Sequence, residues 1–87
     1  MQATHLRDIS DTIKGTAHLW RLDPPHDGHD IIVTSAVVTP SGPEIYAFGS
    51  DMTGDISSWL ELSMSQRGTL DHERILVDAG YAVNWGA

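Results

Sequence analysis

The residue types best suited to chemistry are concentrated in the segment DPPHDGHD, residues 23–30. His26 and His29 stand three positions apart, and the carboxylates of Asp27 and Asp30 each follow one of them. Imidazole and carboxylate groups are common ligands of zinc and other divalent metals. Because a loop lets both rings of an H-x-x-H pair turn toward one ion, the segment is a candidate metal site formed by His26, His29, Asp27 and Asp30.

The same segment is also explained by ordinary turn chemistry. Pro24 and Pro25 cannot donate to a sheet ladder, and the Asp-Gly pair that follows favours a sharp turn, so the sequence predicts a loop. No neighbouring residue stands out as a fixed third ligand; His5 and His18 of a predicted hairpin are the available candidates. Metal binding is therefore kept as the alternative hypothesis.

Other catalytic chemistries lack their motifs in this chain. The absence of cysteine excludes disulfides, thiolate nucleophiles and cysteine-based zinc sites. Neither a G-x-S-x-G elbow nor a glycine-rich phosphate loop occurs. The segment DMTGD is explained by a turn between strands and does not match a calcium loop. We therefore predict a protein that is not an enzyme and needs no cofactor.

The charge balance is strongly acidic. Twelve Asp and Glu residues against five Lys and Arg give a formal net charge of −7. Since nucleic-acid binding requires clustered basic residues that displace counterions, direct DNA or RNA binding is not expected, whereas a basic protein partner is compatible with this charge. No segment approaches the ~20 apolar residues of a membrane span, and the first residues lack the pattern of a signal peptide, so we expect a cytoplasmic protein.

The apolar pattern predicts a hairpin near the N-terminus and a central strand after it. A short first strand, a turn at Lys14-Gly15 and a second strand over residues 16–22 are the favoured arrangement. Residues 30–39 then form a long run in which apolar side chains point to both faces. Such a run is typical of a strand that is covered on both sides.

Two further strands are predicted after the central one. The motif PSGP reverses the chain into residues 44–50, and the motif MTGD reverses it again into residues 56–63. Short connections of this kind favour antiparallel neighbours, so these strands are predicted to form a meander. Trp59 and Glu61 would share one face of the last strand.

One helix follows, with clear signals at both ends. Thr69 or Asp71 can cap its first turn and Gly80 fits the C′ position, which leaves about ten helical residues between them. Its apolar residues cover more than half of its circumference, a wider face than packing on one small sheet requires. Part of this face is therefore expected to contact a partner. Residues 81–85 are then predicted to return as a short strand.

Four residues combine an apolar body with a polar atom and so suit either the core or an interface. His72, on the apolar side of the helix start, is expected to be a partly buried packing residue with one hydrogen bond. One or two of the tryptophans Trp20, Trp59 and Trp85 belong in the core of so small a domain. Trp59, which shares its predicted strand face with Glu61 and serines, is expected to be exposed and available to a partner.

Together these elements predict a single domain over residues 1–87, of the α+β class. A small antiparallel sheet of four to five strands, arranged as a meander, packs against one C-terminal helix and is followed by a short final strand. A domain of this size buries only roughly 60–65% of the surface that its unfolded chain exposes, so its core is small. A homodimer would add buried surface and is expected for that reason.

Four motifs connect the chain to a known group of proteins. The segments RLDPP, GPEIYAF, SWLEL and LDHERILVDAGY occupy residues 21–25, 42–48, 58–62 and 70–81. In this order they resemble motifs of small, functionally uncharacterised non-structural proteins of mycobacteriophages and related actinobacteriophages. The resemblance implies a protein made in the cytoplasm of a bacterial host. It implies no catalytic or binding residues, and by analogy of lifestyle it favours binding to a host protein.

The sequence therefore predicts a small acidic, non-catalytic interaction protein that binds and modulates a host or phage protein. The residues expected to form its interaction surface are Trp59, Glu61, Leu70, Arg74 and Val77. The alternative is a metal- or small-molecule-binding protein centred on the His26/His29 loop, for which both histidines and a third ligand must converge on one ion.

Overall fold

A six-stranded mixed sheet with one short helix forms the protein. The computed structural model describes residues 1–10 and 15–86. The elements in chain order are β1 (Gln2–Asp8), β2 (Thr16–His26), β3 (His29–Thr39), β4 (Gly42–Gly49), β5 (Gln66–Arg67), α1 (His72–Asp78) and β6 (Ala82–Asn84). Within the described residues, no helix combines the length and the apolar character that a membrane span requires. The α+β class is confirmed; the six strands compare with a predicted sheet of four to five strands followed by a short final strand.

The spatial order of the strands is β5-β4-β3-β2-β1-β6, and every neighbouring pair is antiparallel except β1 and β6. The N-terminal hairpin of β1 and β2 is confirmed, although Lys14 of its predicted turn lies outside the described residues. The central position of β3 is confirmed as well, since β2 and β4 pair on its two sides.

The predicted loop at residues 23–30 is wrong, because the chain there continues the hairpin of β2 and β3. β2 extends to His26, which pairs with His29 across a turn of only two residues. These are Asp27 and Gly28, with φ angles of +50° and +83°. Asp-Gly is a favoured pair in such turns because both central residues must take positive φ.

The two prolines of this segment are tolerated because of where the strand pairing is interrupted. The register of β2 against β3 is irregular between Arg21 and His26, and the ladder of β2 with β1 ends at Asp23. Pro24 and Pro25 therefore fall where neither neighbouring strand requires a backbone N–H from them.

The predicted strand over residues 56–63 is also wrong. The chain leaves regular structure after an isolated bridge and pairs with β4 again only through the two residues of β5. In between, Leu62 donates its backbone N–H to the Ala47 carbonyl at 2.7 Å. Trp59 and Leu60 are consecutive and both exposed, which a strand with one buried face does not allow.

The final strand is confirmed, and its partner and direction, which the sequence did not predict, make the sheet mixed. β6 lies at the edge of the sheet opposite β5 and runs parallel to β1. α1 carries the chain from one edge to the other, and a helical crossover of this kind returns the chain in the same direction. The antiparallel sheet was therefore predicted correctly for β1 to β4, and the complete sheet is mixed.

Each face of the sheet carries its own apolar cluster. The larger cluster lies under α1 and contains Ala3, Trp20, Leu22, Ile32, Ala36, Ile45, Ala47, Leu62, Met64, Ile75, Leu76 and Tyr81. The smaller cluster, on the opposite face, consists of Ala17, Leu19, Ile31 and Val33, with Leu6, Ile9 and Ile56 packed against it. The alternation of Ile31, Ile32 and Val33 between the two clusters confirms the prediction that β3 is apolar on both faces.

The helix ends as its sequence signals predict, although α1 has seven residues where about ten were expected. Gly80, with φ +98°, donates its N–H to the Val77 carbonyl at 2.9 Å, and Tyr81 donates to Leu76 at 3.0 Å. This pair of hydrogen bonds is a Schellman motif. It turns the chain directly from α1 into β6.

Asp71 is the N-cap of α1 and accepts hydrogen bonds from the backbone N–H groups of Glu73 and Arg74, at 3.0 and 3.2 Å. We expect Asp71→Ala to lower the free energy of unfolding by about 1 kcal/mol, because these two amides lose their acceptor. Asp71→Asn keeps a capping oxygen and is the matched control. Urea unfolding of both variants measures the difference; an equal loss in the two variants would contradict the capping role.

Candidate functional site

The predicted metal ligands lie on the β2–β3 turn but do not converge. Nε2 of His26 lies 3.0 Å from Ser63 Oγ and 3.4 Å from a carboxylate oxygen of Asp27. His29 instead packs its ring against Gly49, where an added Cβ atom would lie 2.2 Å from Nδ1. Within residues 1–10 and 15–86, no group of three His, Asp or Glu side chains is arranged to hold a metal ion. The described residues thus supply no third ligand to His26 and His29.

Ser63, His26 and Asp27 have the residue types of a hydrolase triad without its geometry. The hydroxyl of Ser63 and the carboxylate of Asp27 both approach Nε2 of His26. In a catalytic triad the carboxylate holds the ring from Nδ1 while Nε2 faces the serine. Asp30, the fourth predicted metal ligand, is exposed. A cavity of about 210 Å³ adjoins His26, which is smaller than the ~300–1,000 Å³ of typical ligand sites.

Three aromatic side chains form a row on the face of the sheet away from α1. The rings of Tyr46 and Phe48 are stacked at a centroid distance of 6.1 Å, and Trp59 packs edge-on to Phe48 at 5.3 Å. Phe48 pairs with Val33 of the smaller cluster, which places this aromatic row on that face. Trp59 is 75% exposed and Leu60 is 79% exposed. The predicted exposure of Trp59 is confirmed.

A polar cleft of about 260 Å³ adjoins the aromatic row, and its lining residues are Tyr46, Glu61, Ser65, Gln66 and Arg67. Tyr46 donates its hydroxyl hydrogen to Glu44, which raises the pKa of the phenol, and Nε of Arg67 lies 3.4 Å from the same carboxylate. Glu61 is exposed, and no described residue forms an ion pair or hydrogen bond with its carboxylate. The cleft therefore offers an unpaired negative charge beside an apolar surface.

The remaining predicted interaction residues lie on the other side of the sheet. Leu70 and Val77 are about half exposed, and Arg74 Nε lies 3.8 Å from a carboxylate one helical turn away. α1 packs on the larger apolar cluster, whereas the aromatic row belongs to the face of the smaller one. The predicted residues therefore divide into two surfaces, with Trp59 and Glu61 on one and the helix residues on the other.

Three histidines from different elements meet on the helix side of the sheet. Nε2 of His5 lies 2.9 Å from Nδ1 of His18, and the rings of His18 and His72 stand nearly perpendicular at a centroid distance of 4.5 Å. Trp85 packs over this group, with its ring 4.9 Å from His5 and 5.5 Å from His18. Trp20 lies beneath, 4.8 Å from Trp85. His5, His18 and His72 are called the histidine cluster below.

His72 is the buried member of the histidine cluster, and both of its ring nitrogens contact hydroxyl groups. Nε2 lies 2.7 Å from Thr16 Oγ1, and Nδ1 lies 2.6 Å from Thr34 Oγ1, which also accepts the indole N–H of Trp20 at 2.8 Å. With a neutral ring, Thr34 donates to Nδ1 and Nε2 donates to Thr16, so every group has a partner. Burial, reinforced by the nearby His18, lowers the pKa of His72 to about 4.

Sequence reasoning did not find the histidine cluster. It predicted His72 as a packing residue with one hydrogen bond, and considered His5 and His18 only as candidate ligands for the His26/His29 loop. The burial of His72 is confirmed, and the ring has two hydrogen-bond partners. A local signal did exist, since Thr16 and His18 alternate onto one strand face. The contact with the helix is long-range and leaves no such signal.

No family model, curated protein or solved structure matches the chain.

Proposed function

We propose that this protein is a non-catalytic binding module that captures a protein partner on the aromatic row and the polar cleft beside it. The observation that supports the proposal best is the pair of consecutive, largely exposed side chains of Trp59 and Leu60. Moving a large apolar side chain from water into an interface is worth about 1.5–3 kcal/mol. Tryptophan is also enriched among the few residues that carry most of the binding energy of protein interfaces.

The surroundings of the row favour a partner that offers an apolar pocket together with a basic group. No described residue pairs with the carboxylate of Glu61 in the cleft beside the aromatic row, and the chain carries a net charge of −7. The negative electrostatic potential of the chain attracts a basic partner, which gains an ion pair at Glu61. A second copy of the same acidic chain is repelled.

The size of the patch favours a small or transient contact. Trp59 and Leu60 together expose roughly 300 Å² of side-chain surface, judged from the 150–250 Å² that an aromatic side chain can bury. A stable interface of standard size buries about 800 Å² on each partner. We therefore do not propose self-association through this patch, and the experiment must distinguish it from the binding of a partner.

The resemblance of four motifs to those of mycobacteriophage-type proteins is the reason for proposing a bacterial setting for this binding. We propose that the partner is a host or phage protein in the cytoplasm of the bacterial cell, and that its activity is modulated because part of its surface is covered. This role needs no reaction and no cofactor.

The decisive comparison is between Trp59→Ala and Val77→Ala. Both change an exposed apolar side chain, but Val77 belongs to α1, which packs on the face of the sheet opposite the aromatic row. We expect proteins retained from a mycobacterial lysate by the immobilised wild-type chain to be retained by Val77→Ala. We expect them to bind at least tenfold more weakly to Trp59→Ala, because an interface anchor is lost.

Charge reversal tests the predicted chemistry of the partner. With the purified partner, Glu61→Lys is expected to weaken binding most at low salt, since screening already reduces the ion pair at high salt. Sedimentation of the wild-type chain alone checks for self-association. Equal binding by Trp59→Ala and Val77→Ala would refute the proposal, as would a wild-type dimer that Trp59→Ala dissociates.

A further inference from the structure

We propose that acidification releases β6 and Trp85 from the sheet, with the histidine cluster as the trigger. The histidine cluster lies on the face of the sheet under α1, and its proposed role is independent of the aromatic row. Three imidazoles meet through the central ring of His18, Trp85 packs against two of them, and β6 pairs with the sheet along one side only.

The cover over the histidine cluster is thin. Trp85 packs against His5, His18 and Trp20 and is itself 47% exposed. It follows β6, which pairs with β1 over only three residues at the edge of the sheet. β1 keeps six register pairs with β2 on its other side, so it does not depend on β6 for its place in the sheet.

Few charges face the cluster from the elements packed around it. β1 contributes Asp8, which lies opposite His18 in the register but is hydrogen-bonded to Ser10. α1 begins at its cap Asp71, whose carboxylate already accepts two backbone amides. β3 contributes the hydroxyl of Thr34; its ionisable residues, His29 and Asp30, lie at its other end beside the β2–β3 turn, and β6 carries none. Among the residues that the structure describes, two carboxylates, both already hydrogen-bonded, therefore face the three imidazoles.

Successive protonation of the cluster has unequal consequences. A first proton is accommodated between His5 and His18, whose nitrogens are 2.9 Å apart, because an imidazolium can donate to a neutral imidazole. A second proton on that pair removes the acceptor and places two cations in contact. Protonation of His72 adds a cation beside His18 and turns Nδ1 into a donor toward Thr34, which then has no acceptor for its own hydrogen.

Release of Trp85 uncovers the rings of His5 and His18 that it packs against and so exposes these charges further to water. Burial and the proximity of His18 lower the pKa of His5, so the closed form resists protonation, and the open form accepts it more readily. Opening is therefore favoured as the pH falls below the ordinary histidine value of 6.5 toward the value of about 4 held by buried His72. The remaining antiparallel strands keep their pairing while β6 is detached.

Amide hydrogen exchange of the whole chain tests this opening. The N–H of Ala82 donates to the Met1 carbonyl at 2.9 Å and reports on β6, while the amides of β3 report on the centre of the sheet. At pH 7.5 we expect both to be protected. At pH 4.5, after correction for intrinsic exchange rates, we expect Ala82 to fall below tenfold protection while β3 remains protected more than a hundredfold.

Two variants identify the trigger. His18→Gln removes the central ring of the cluster and is expected to abolish the selective loss at Ala82, whereas His26→Gln, on the β2–β3 turn, should leave it unchanged. Unaltered protection of Ala82 at pH 4.5 would overturn the proposal. Equal exchange of Ala82 and β3 at that pH would also overturn the proposal, because it indicates global unfolding. This comparison uses the wild-type chain and therefore holds even if His18→Gln does not fold.

Discussion

Replacing Trp20 by alanine is expected to lower the free energy of unfolding by about 3–5 kcal/mol. The indole is fully buried in the larger apolar cluster, and its N–H donates to Thr34 at 2.8 Å. The substitution removes the largest buried side chain of the domain and also takes one partner from the hydrogen-bond network of His72. Since small domains have a stability of about 5–15 kcal/mol, this loss brings the variant close to unfolding.

Trp59→Ala is the matched control for this prediction, because it removes the same side chain from an exposed position. A change of about 0.5 kcal/mol or less is expected there. Urea titrations of both variants, followed by circular dichroism, measure the two losses on one scale. Similar losses in Trp20→Ala and Trp59→Ala would contradict the assignment of Trp20 to the core and of Trp59 to the surface.

The second large effect is a loss of stability in acid that originates at His72. Its pKa in the folded chain is about 4, against an ordinary value of 6.5, so between these values the unfolded chain binds a proton that the folded chain excludes. Stability therefore rises with pH across this window, and it is lost as the pH falls from 6.5 toward 4. We expect the free energy of unfolding to fall by about 2 kcal/mol across this pH window. This is less than the full shift implies at ~1.4 kcal/mol per pKa unit, because the folded chain also begins to bind the proton as the pH approaches 4.

His72→Gln provides the comparison for this pH dependence. The variant lowers stability at pH 7.5, because glutamine cannot reproduce both contacts to Thr16 and Thr34, but it removes the titrating ring. Urea unfolding at pH 7.5, 6.0 and 4.5 should therefore show a flatter dependence on pH for His72→Gln than for the wild-type chain. Parallel curves for the two proteins would assign the acid sensitivity to other groups.

Features of the fold that depend on neighbouring residues were predicted well. The caps of α1 at Asp71 and Gly80, the reversal after β3 and the two-sided apolar pattern of β3 each follow from residues a few positions apart. The exposure of Trp59 was also predictable, since it is surrounded in sequence by serines and an acidic residue. Local steric and hydrogen-bonding rules are sufficient for such features.

Errors arose where a local signal was compatible with two structures. The prolines at 24 and 25 indicate a loop unless the strand pairing is interrupted at the same place, as it is here between β2 and β3. Leu60 and Leu62 alternate as in a strand, yet Leu60 is exposed and Leu62 is buried in the larger cluster, because the chain leaves the sheet to cover it. Which structure forms depends on the shape of the core that these residues must cover.

By itself, the sequence determined the α+β class, the central strand, the helix ends and the acidic charge, because these depend on side-chain type and short spacing. Only the tertiary structure decided that Trp59 and Val77 lie on opposite faces, that β6 runs parallel to β1, and that His5, His18 and His72 come together. The three histidines are far apart in sequence, and burial against Thr34 and Trp85 gives them properties that none has alone. Such contacts are set by packing of the whole sheet against α1, which no local pattern encodes.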